Sequence, residues 1–186
     1  HAPDKIRDLR QPLDRMRLIK DAHELDIMRR AATITSAGHA RAMHACQPGM
    51  AEYELEAELA YEFRRRGADG HAYTPIVAGG ANACILHYVD NNKLLAGHSL
   101  VLIDAGCEIS GYASDITRTF PVGGRFSPVQ REVYEIVLAA QQAAIAAVRP
   151  GAAFTDYHLA AMQVLTQGLI DLKVLTGSVD GAIESE

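Results

Sequence analysis

Asp104 and Asp115 stand in the segment Leu102-Ile103-Asp104-Ala105-Gly106-Cys107-Glu108-Ile109-Ser110-Gly111-Tyr112-Ala113-Ser114-Asp115-Ile116-Thr117-Arg118-Thr119-Phe120. Its two ends are apolar or β-branched and Gly111 lies between them, so residues 100–105 and 112–122 are predicted to pair as a β-hairpin. A turn about Ile109 and Ser110 would pair residues whose numbers sum to 219, which sets Asp104 directly opposite Asp115 on one face. Their Cβ atoms would then lie about 5 Å apart, and like charges so placed repel. The preceding run Leu100-Val101-Leu102-Ile103 would also draw Asp104 out of bulk water. A shared proton, a neighbouring arginine or bound cations could hold such a pair together. Arg118 has the opposite parity to positions 115 and 117, so it points to the other face. A proton or cations remain, beside the plain alternative that one aspartate merely makes ordinary strand-end hydrogen bonds.

Hard divalent cations prefer oxygen ligands, and two of them about 3.5–4 Å apart form a common hydrolytic centre. Two aspartates cannot balance two such ions, so further ligands would be needed. His71, His87, His98 and His158 are the histidines available after the first helical region. His87, in Cys84-Ile85-Leu86-His87-Tyr88, lies beside the predicted sheet and is the candidate site residue, although a histidine there equally suits hydrogen-bonded structure. The chain contains no HExxH, no GxSxG nucleophile elbow and no phosphate-binding glycine loop.

The elements that must position these residues can be read from periodicity and punctuation. Residues 1–20 carry Pro3, Pro12 and many charges, and read as a linker or crossing segment. A helix should begin at Asp21, which forms a capping-box pattern with Glu24, and end at Gln47-Pro48-Gly49. A second helix is predicted over 51–66, with Leu55, Leu59 and Phe63 on one face. Residues 73–78 should form a strand, and the apolar run 100–105 suits a strand buried on both faces. Ser127-Pro128-Val129-Gln130 starts a helix that runs to about residue 148. Another should span 155–172, with Gly168 a weak point inside it. Helix, Pro48-Gly49, helix thus recurs as helix, Pro150-Gly151, helix, which suggests two copies of an αα-then-β unit in a pseudo-symmetric α+β domain.

The bulk composition excludes several classes of function. With 48% hydrophobic and 22% charged residues, the chain has the balance of a globular protein. A net charge of −5 argues against nucleic-acid binding, and Arg64-Arg65-Arg66 reads as the solvated end of a helix. No apolar stretch approaches the ~20 residues of a membrane span. Three cysteines, Cys46, Cys84 and Cys107, with no CxxC pair, fit reduced, buried thiols in a cytoplasmic protein.

The stretch from Leu102 to Val122 closely resembles the first metal-ligand segment of aminopeptidase P, in the prolidase and methionine aminopeptidase superfamily. Met16-Arg17-Leu18-Ile19-Lys20, Met43 to Met50, Cys84 to Tyr88 and Ser127 to Leu138 resemble the bacterial Xaa-Pro aminopeptidase pattern as well. The resemblance implies an α+β "pita-bread" fold with internal two-fold pseudo-symmetry, of which this chain would be the N-terminal half, a β-hairpin and sheet flanked by helices. Residues 1–20 would be the linker from a preceding domain, and 21–186 a partial catalytic metallopeptidase domain. The resemblance also implies two divalent metal ions, usually Mn²⁺, held by two Asp, one His and two Glu. Asp104 and Asp115 match the two aspartates, and His87 matches a substrate-side histidine that assists the tetrahedral intermediate. The remaining ligands would follow residue 186.

The implied activity is release of the N-terminal residue from peptides with proline at the second position, through water activated at the metal pair. The implied full-length protein is a homo-oligomer, and this chain alone would be inactive. Xaa-Pro dipeptidase (prolidase) activity is the nearest alternative. Methionine aminopeptidase fits less well, because Ser114-Asp115-Ile116-Thr117 lacks the His-Gly-Asp form of that group. A non-catalytic peptide- or protein-binding domain of the same fold is the alternative of another class.

Overall fold

The computed structural model describes residues 8–183, and the part of the predicted linker before Asp8 lies outside them. The chain divides into two compact units, one ending at Arg125 and the other beginning at Phe126.

The first unit opens with α1 (Arg10–Leu18), none of whose residues is buried. A helix forms here in place of the expected linker, with Leu13 and Met16 exposed, so it contributes nothing to the core of this unit. The long helix α2 (Ala22–Ala45) begins as expected: the Asp21 carboxylate accepts from the Glu24 N–H at 2.8 Å, and the Glu24 carboxylate accepts from the Asp21 N–H at 2.7 Å. Helix α3 (Glu52–Arg65) buries Leu55, Leu59 and Phe63 completely. Each contributes on the order of 1.5–3 kcal/mol by leaving water.

Two small antiparallel sheets complete the unit. One has the order β1 (Gly70–His71), β4 (Cys107–Ile109), β5 (Tyr112–Ala113), and the other β2 (Ile76–Gly79), β3 (Leu100–Ala105), β6 (Ile116–Pro121). Val101, Ile103 and Ala105 of β3 are buried in the core with Ile27, Ile34, Leu55 and Phe63, whereas Leu100, Leu102 and Asp104 are only half-buried. Burial on both faces was expected from the continuous apolar run. The strand instead alternates, with α2 and α3 covering one face and Asp104 on the other. Strand β2 starts at Ile76 rather than Tyr73, because Pro75 has no N–H to give a ladder.

The hairpin register differs from the predicted one. Asp104 pairs with Thr117, Ala105 with Ile116, and Ile109 with Tyr112, so paired residue numbers sum to 221 rather than 219. The turn is centred on Ser110 and Gly111, both with left-handed φ (51° and 81°), the conformation a tight two-residue hairpin demands and that glycine adopts freely. A shift of two residues preserves the alternation of faces, whereas a shift of one would have inverted it.

The second unit packs α4 (Pro128–Ala147) against α5 (Phe154–Asp171), followed by the short α6 (Val179–Ile183). Ser127 caps α4 in a box with Gln130, as its sequence predicts. Gly168 is a point of close approach, not a weak point: a Cβ there would stand 2.4 Å from Ile136 Cγ2. The turns at Pro48-Gly49 and Pro150-Gly151 share a left-handed glycine, with φ of 87° and 85°, so the repeated helix–turn–helix pattern is present in each unit.

Candidate active site

The half-buried face of β3 presents Asp104 beside a break in the opposite strand. Between β5 and β6 the chain at Ser114 and Asp115 leaves regular pairing, and Gly106 lies against it. The break is held from beneath. Buried Ser114 donates its hydroxyl to the Cys107 carbonyl at 3.0 Å, and its N–H donates to the same carbonyl at 2.9 Å. Thr35, reaching up from α2, shares a 2.6 Å hydrogen bond with the Ser114 hydroxyl and accepts from the Cys107 N–H at 3.0 Å. With Ser114 turned inward, Asp115 is exposed on the face that carries Asp104.

The two carboxylates meet at one oxygen. The Tyr73 hydroxyl lies 2.6 Å from Asp104 Oδ1 and 2.8 Å from Asp115 Oδ1. Burial first, and then the two carboxylates it touches, push the Tyr73 phenol far above its ordinary range, so it remains a donor at any physiological pH. A phenol carries a single proton and can donate fully to only one carboxylate. The hydroxyl is therefore shared between the two carboxylates and ties them to one point.

His87 joins these residues. It lines a cleft of about 390 Å³ together with Tyr73, Thr74, Ile76, Val89, Asp104 and Asp115. It is exposed and adopts a left-handed backbone conformation, φ 54°. A larger hollow of about 620 Å³ lies between α4 and α5 in the second unit, but none of the sequence-predicted site residues lines it.

The other histidines behave differently. His71 packs edge-on against Phe63 with ring centroids 5.4 Å apart. His39, which sequence reasoning did not single out, is buried beneath the site with Nε2 3.2 Å from the Ala105 carbonyl, and burial holds it below the ordinary imidazole range. Arg118 pairs with Ile103 across the ladder and lies on the opposite face from Asp104, as its parity predicts. Cys107 is buried but Cys84 is exposed, contrary to the expectation of buried thiols, because it ends the 3₁₀ turn Gly80–Cys84 at the surface.

As ligands for hard cations, Asp104 and Asp115 are suitable in type and placement, since both are oxygen donors converging on one cleft. Among the described residues no group of three or more His, Cys, Asp and Glu side chains could hold a metal ion. Residues 26–181 match metallopeptidase family M24. The chain belongs to this family.

The M24 chain is 49% identical over 182 residues to the Xaa-Pro aminopeptidase of Haemophilus influenzae, a match that covers 98% of this chain and 42% of the relative. Its fold is similar to that of a glutamate-to-alanine variant of Escherichia coli aminopeptidase P in complex with substrate, with a TM-score of 0.96 and 45% identity. It is equally similar, at a TM-score of 0.96, to zinc-substituted Escherichia coli aminopeptidase P in complex with product. Each structural match covers 99% of this chain and 42% of the other, so the chain spans less than half the length of the relatives it matches. The shared fold bears out the α+β architecture expected from the sequence.

Sequence reasoning missed Tyr73. It was placed inside a strand, where a tyrosine needs no special explanation. The only local signal is Pro75, which delays the start of the strand to Ile76 and leaves Tyr73 on the loop before it.

Proposed function

We propose that the complete protein is a metal-dependent aminopeptidase that releases the N-terminal residue from peptides with proline at the second position. The observation that carries this reading is the convergence of Asp104 and Asp115 on the Tyr73 hydroxyl. In this reading the two aspartates hold two divalent cations, most readily Mn²⁺, completed by one histidine and two glutamates from outside this chain. The chemistry supplied by such ions is a lowered water pKa and a polarised scissile carbonyl.

This chain's own residues then have distinct tasks. Asp104 and Asp115 fix the position of the positive charge. Tyr73 donates a hydrogen bond to the carboxylates and holds them in place. His87, from the other wall of the cleft, offers an imidazole that can donate to an oxygen gaining negative charge as the peptide carbonyl is attacked. Ile76 and Val89 give that cleft an apolar wall. Residues 21–186 serve as part of the catalytic domain, and residues 1–20 as its connection to a preceding one. The three free thiols suit the reducing cytoplasm, and oligomer formation belongs to the whole protein.

Turnover of an Xaa-Pro-Yaa tripeptide by the complete protein tests this reading. Release of the free N-terminal residue is expected. Cleavage restricted to Xaa-Pro dipeptides would favour prolidase activity, and binding without cleavage of either would favour a non-catalytic peptide-binding domain. The isolated chain, with two of the five ligands, should not turn over.

A further inference from the structure

Glu52 is the first residue of α3 and is completely buried. Glutamate is almost never fully buried without partners, and here every lone-pair direction is used. Oε1 accepts from the Gly79 N–H at 2.8 Å and from Asn82 Nδ2 at 2.9 Å. Oε2 accepts from the Tyr88 hydroxyl at 2.7 Å and from the Lys93 N–H at 3.0 Å. All four donors belong to residues 79–93, the segment that leaves β2 and returns toward β3. Apart from one 3₁₀ turn this segment has no extended regular structure, so a single carboxylate fastens its two ends and its middle. Burial alone would raise the Glu52 carboxyl, but its hydrogen bonds together hold it below the ordinary carboxylate range. It is therefore ionised at neutral pH.

The segment fastened in this way carries His87. Tyr88, the next residue, is buried and directs its hydroxyl inward to Glu52, whereas His87 is exposed and lines the carboxylate cleft. Adjacent residues facing opposite ways share one backbone path, so fixing Tyr88 fixes where His87 emerges. A second tie acts in the same sense. The buried Asn91 side chain accepts from the Val77 N–H at 2.9 Å and donates to the Pro75 carbonyl at 2.9 Å. These bonds join the segment to β2, whose Ile76 pairs with Asp104.

We propose that Glu52 is a positioning residue for His87: through Tyr88 and the N–H groups of Gly79 and Lys93 it holds the 79–93 segment so that the imidazole stands at the carboxylate cleft. The proposal rests on the reading of His87 as a site residue.

A double-mutant cycle on the complete, metal-loaded protein tests it, with an Xaa-Pro-Yaa peptide as substrate. Glu52→Gln and Tyr88→Phe should each lower kcat on the order of tenfold, since displacing a catalytic group by a fraction of an ångström has that scale of effect. KM and metal content should stay near those of the parent. On a His87→Ala background the same substitutions should change kcat by less than about twofold, because coupled groups are not additive. Amide hydrogen exchange gives a readout independent of turnover: Glu52→Gln keeps only one acceptor oxygen, so it should deprotect at least one of the Gly79 and Lys93 amides and leave those of β3 protected. Equal losses of kcat on both backgrounds, or unchanged exchange at Gly79 and Lys93, would overturn the proposal. Full turnover by His87→Ala would instead remove the role of His87 itself, and the proposal with it. Tyr88→Phe deletes one hydroxyl only, so the cycle remains decisive if Glu52→Gln fails to fold.

Discussion

Gly106 lies so close to the carbonyl of Ser114 that a Cβ at this position would stand 1.7 Å from that oxygen. The obstacle is backbone, so no side-chain rotation can relieve it. Substitution must push β5 and β6 away from β3 at the point where Asp115 approaches Asp104. Gly106→Ala should therefore cost about 3 kcal/mol or more, at the upper end of overpacking effects. Chemical denaturation measures this, and a loss below about 0.5 kcal/mol would show that the two strands can part freely.

Thr35 holds the same crossing from below. Thr35→Val keeps the shape and removes the hydroxyl that accepts from the Cys107 N–H and pairs with Ser114. The Cys107 N–H keeps the Ser114 hydroxyl as an acceptor at 3.1 Å, so the variant should lose about 0.5–1.5 kcal/mol, the net worth of one hydrogen bond. Thr35→Ser should recover most of the loss by restoring the hydroxyl, and recovery is read from the shift in denaturation midpoint.

Much of this arrangement was legible in the sequence, and the errors have physical causes. The capping box at Asp21, the Pro-Gly turns and the hairpin itself are local features, encoded within a few residues of where they act. The register depends on the turn: a centre at Ile109-Ser110 contains no glycine, whereas Ser110-Gly111 provides the glycine that a left-handed second position favours. Asp104 and Asp115 nevertheless remain on one face, because an even shift keeps parity. Tyr73, Thr35 and Glu52 were not legible. Their partners lie far along the chain, 31 positions away for Tyr73 and Asp104 and 79 for Thr35 and Ser114, and no periodicity marks such pairs.

Tyr73→Phe separates the hydroxyl from the ring that carries it. Without the phenol, Asp104 and Asp115 lose the donor they share, and the orientation of both carboxylates is less fixed. Removing an outer partner of a metal ligand typically lowers metal affinity about 10–100-fold. Calorimetric titration of Mn²⁺ into the metal-free complete protein should show a loss of this size. Unchanged affinity would mean that the hydroxyl does not organise the pair.

His39 makes stability depend on pH. Its folded pKa is lowered by burial, so the unfolded state takes up a proton first as the pH falls. The associated stability is fully present above the unfolded value of about 6.5 and is lost as the pH falls toward the folded one. Urea midpoints should accordingly decline between about pH 7 and 5. His39→Gln should flatten part of that decline; His71, lowered by burial as well, accounts for a further part. An identical slope in the variant would assign the effect elsewhere.

If Asp104 and Asp115 are metal ligands as proposed, the metal content of the protein must depend on both. The complete protein, dialysed against Mn²⁺ and then metal-free buffer, would be compared with its Asp104→Asn and Asp115→Asn variants by elemental analysis. Close to two ions per chain are expected in the parent and loss of at least one in each variant, with the fold retained by circular dichroism. Full metal occupancy in folded Asp115→Asn would contradict that assignment.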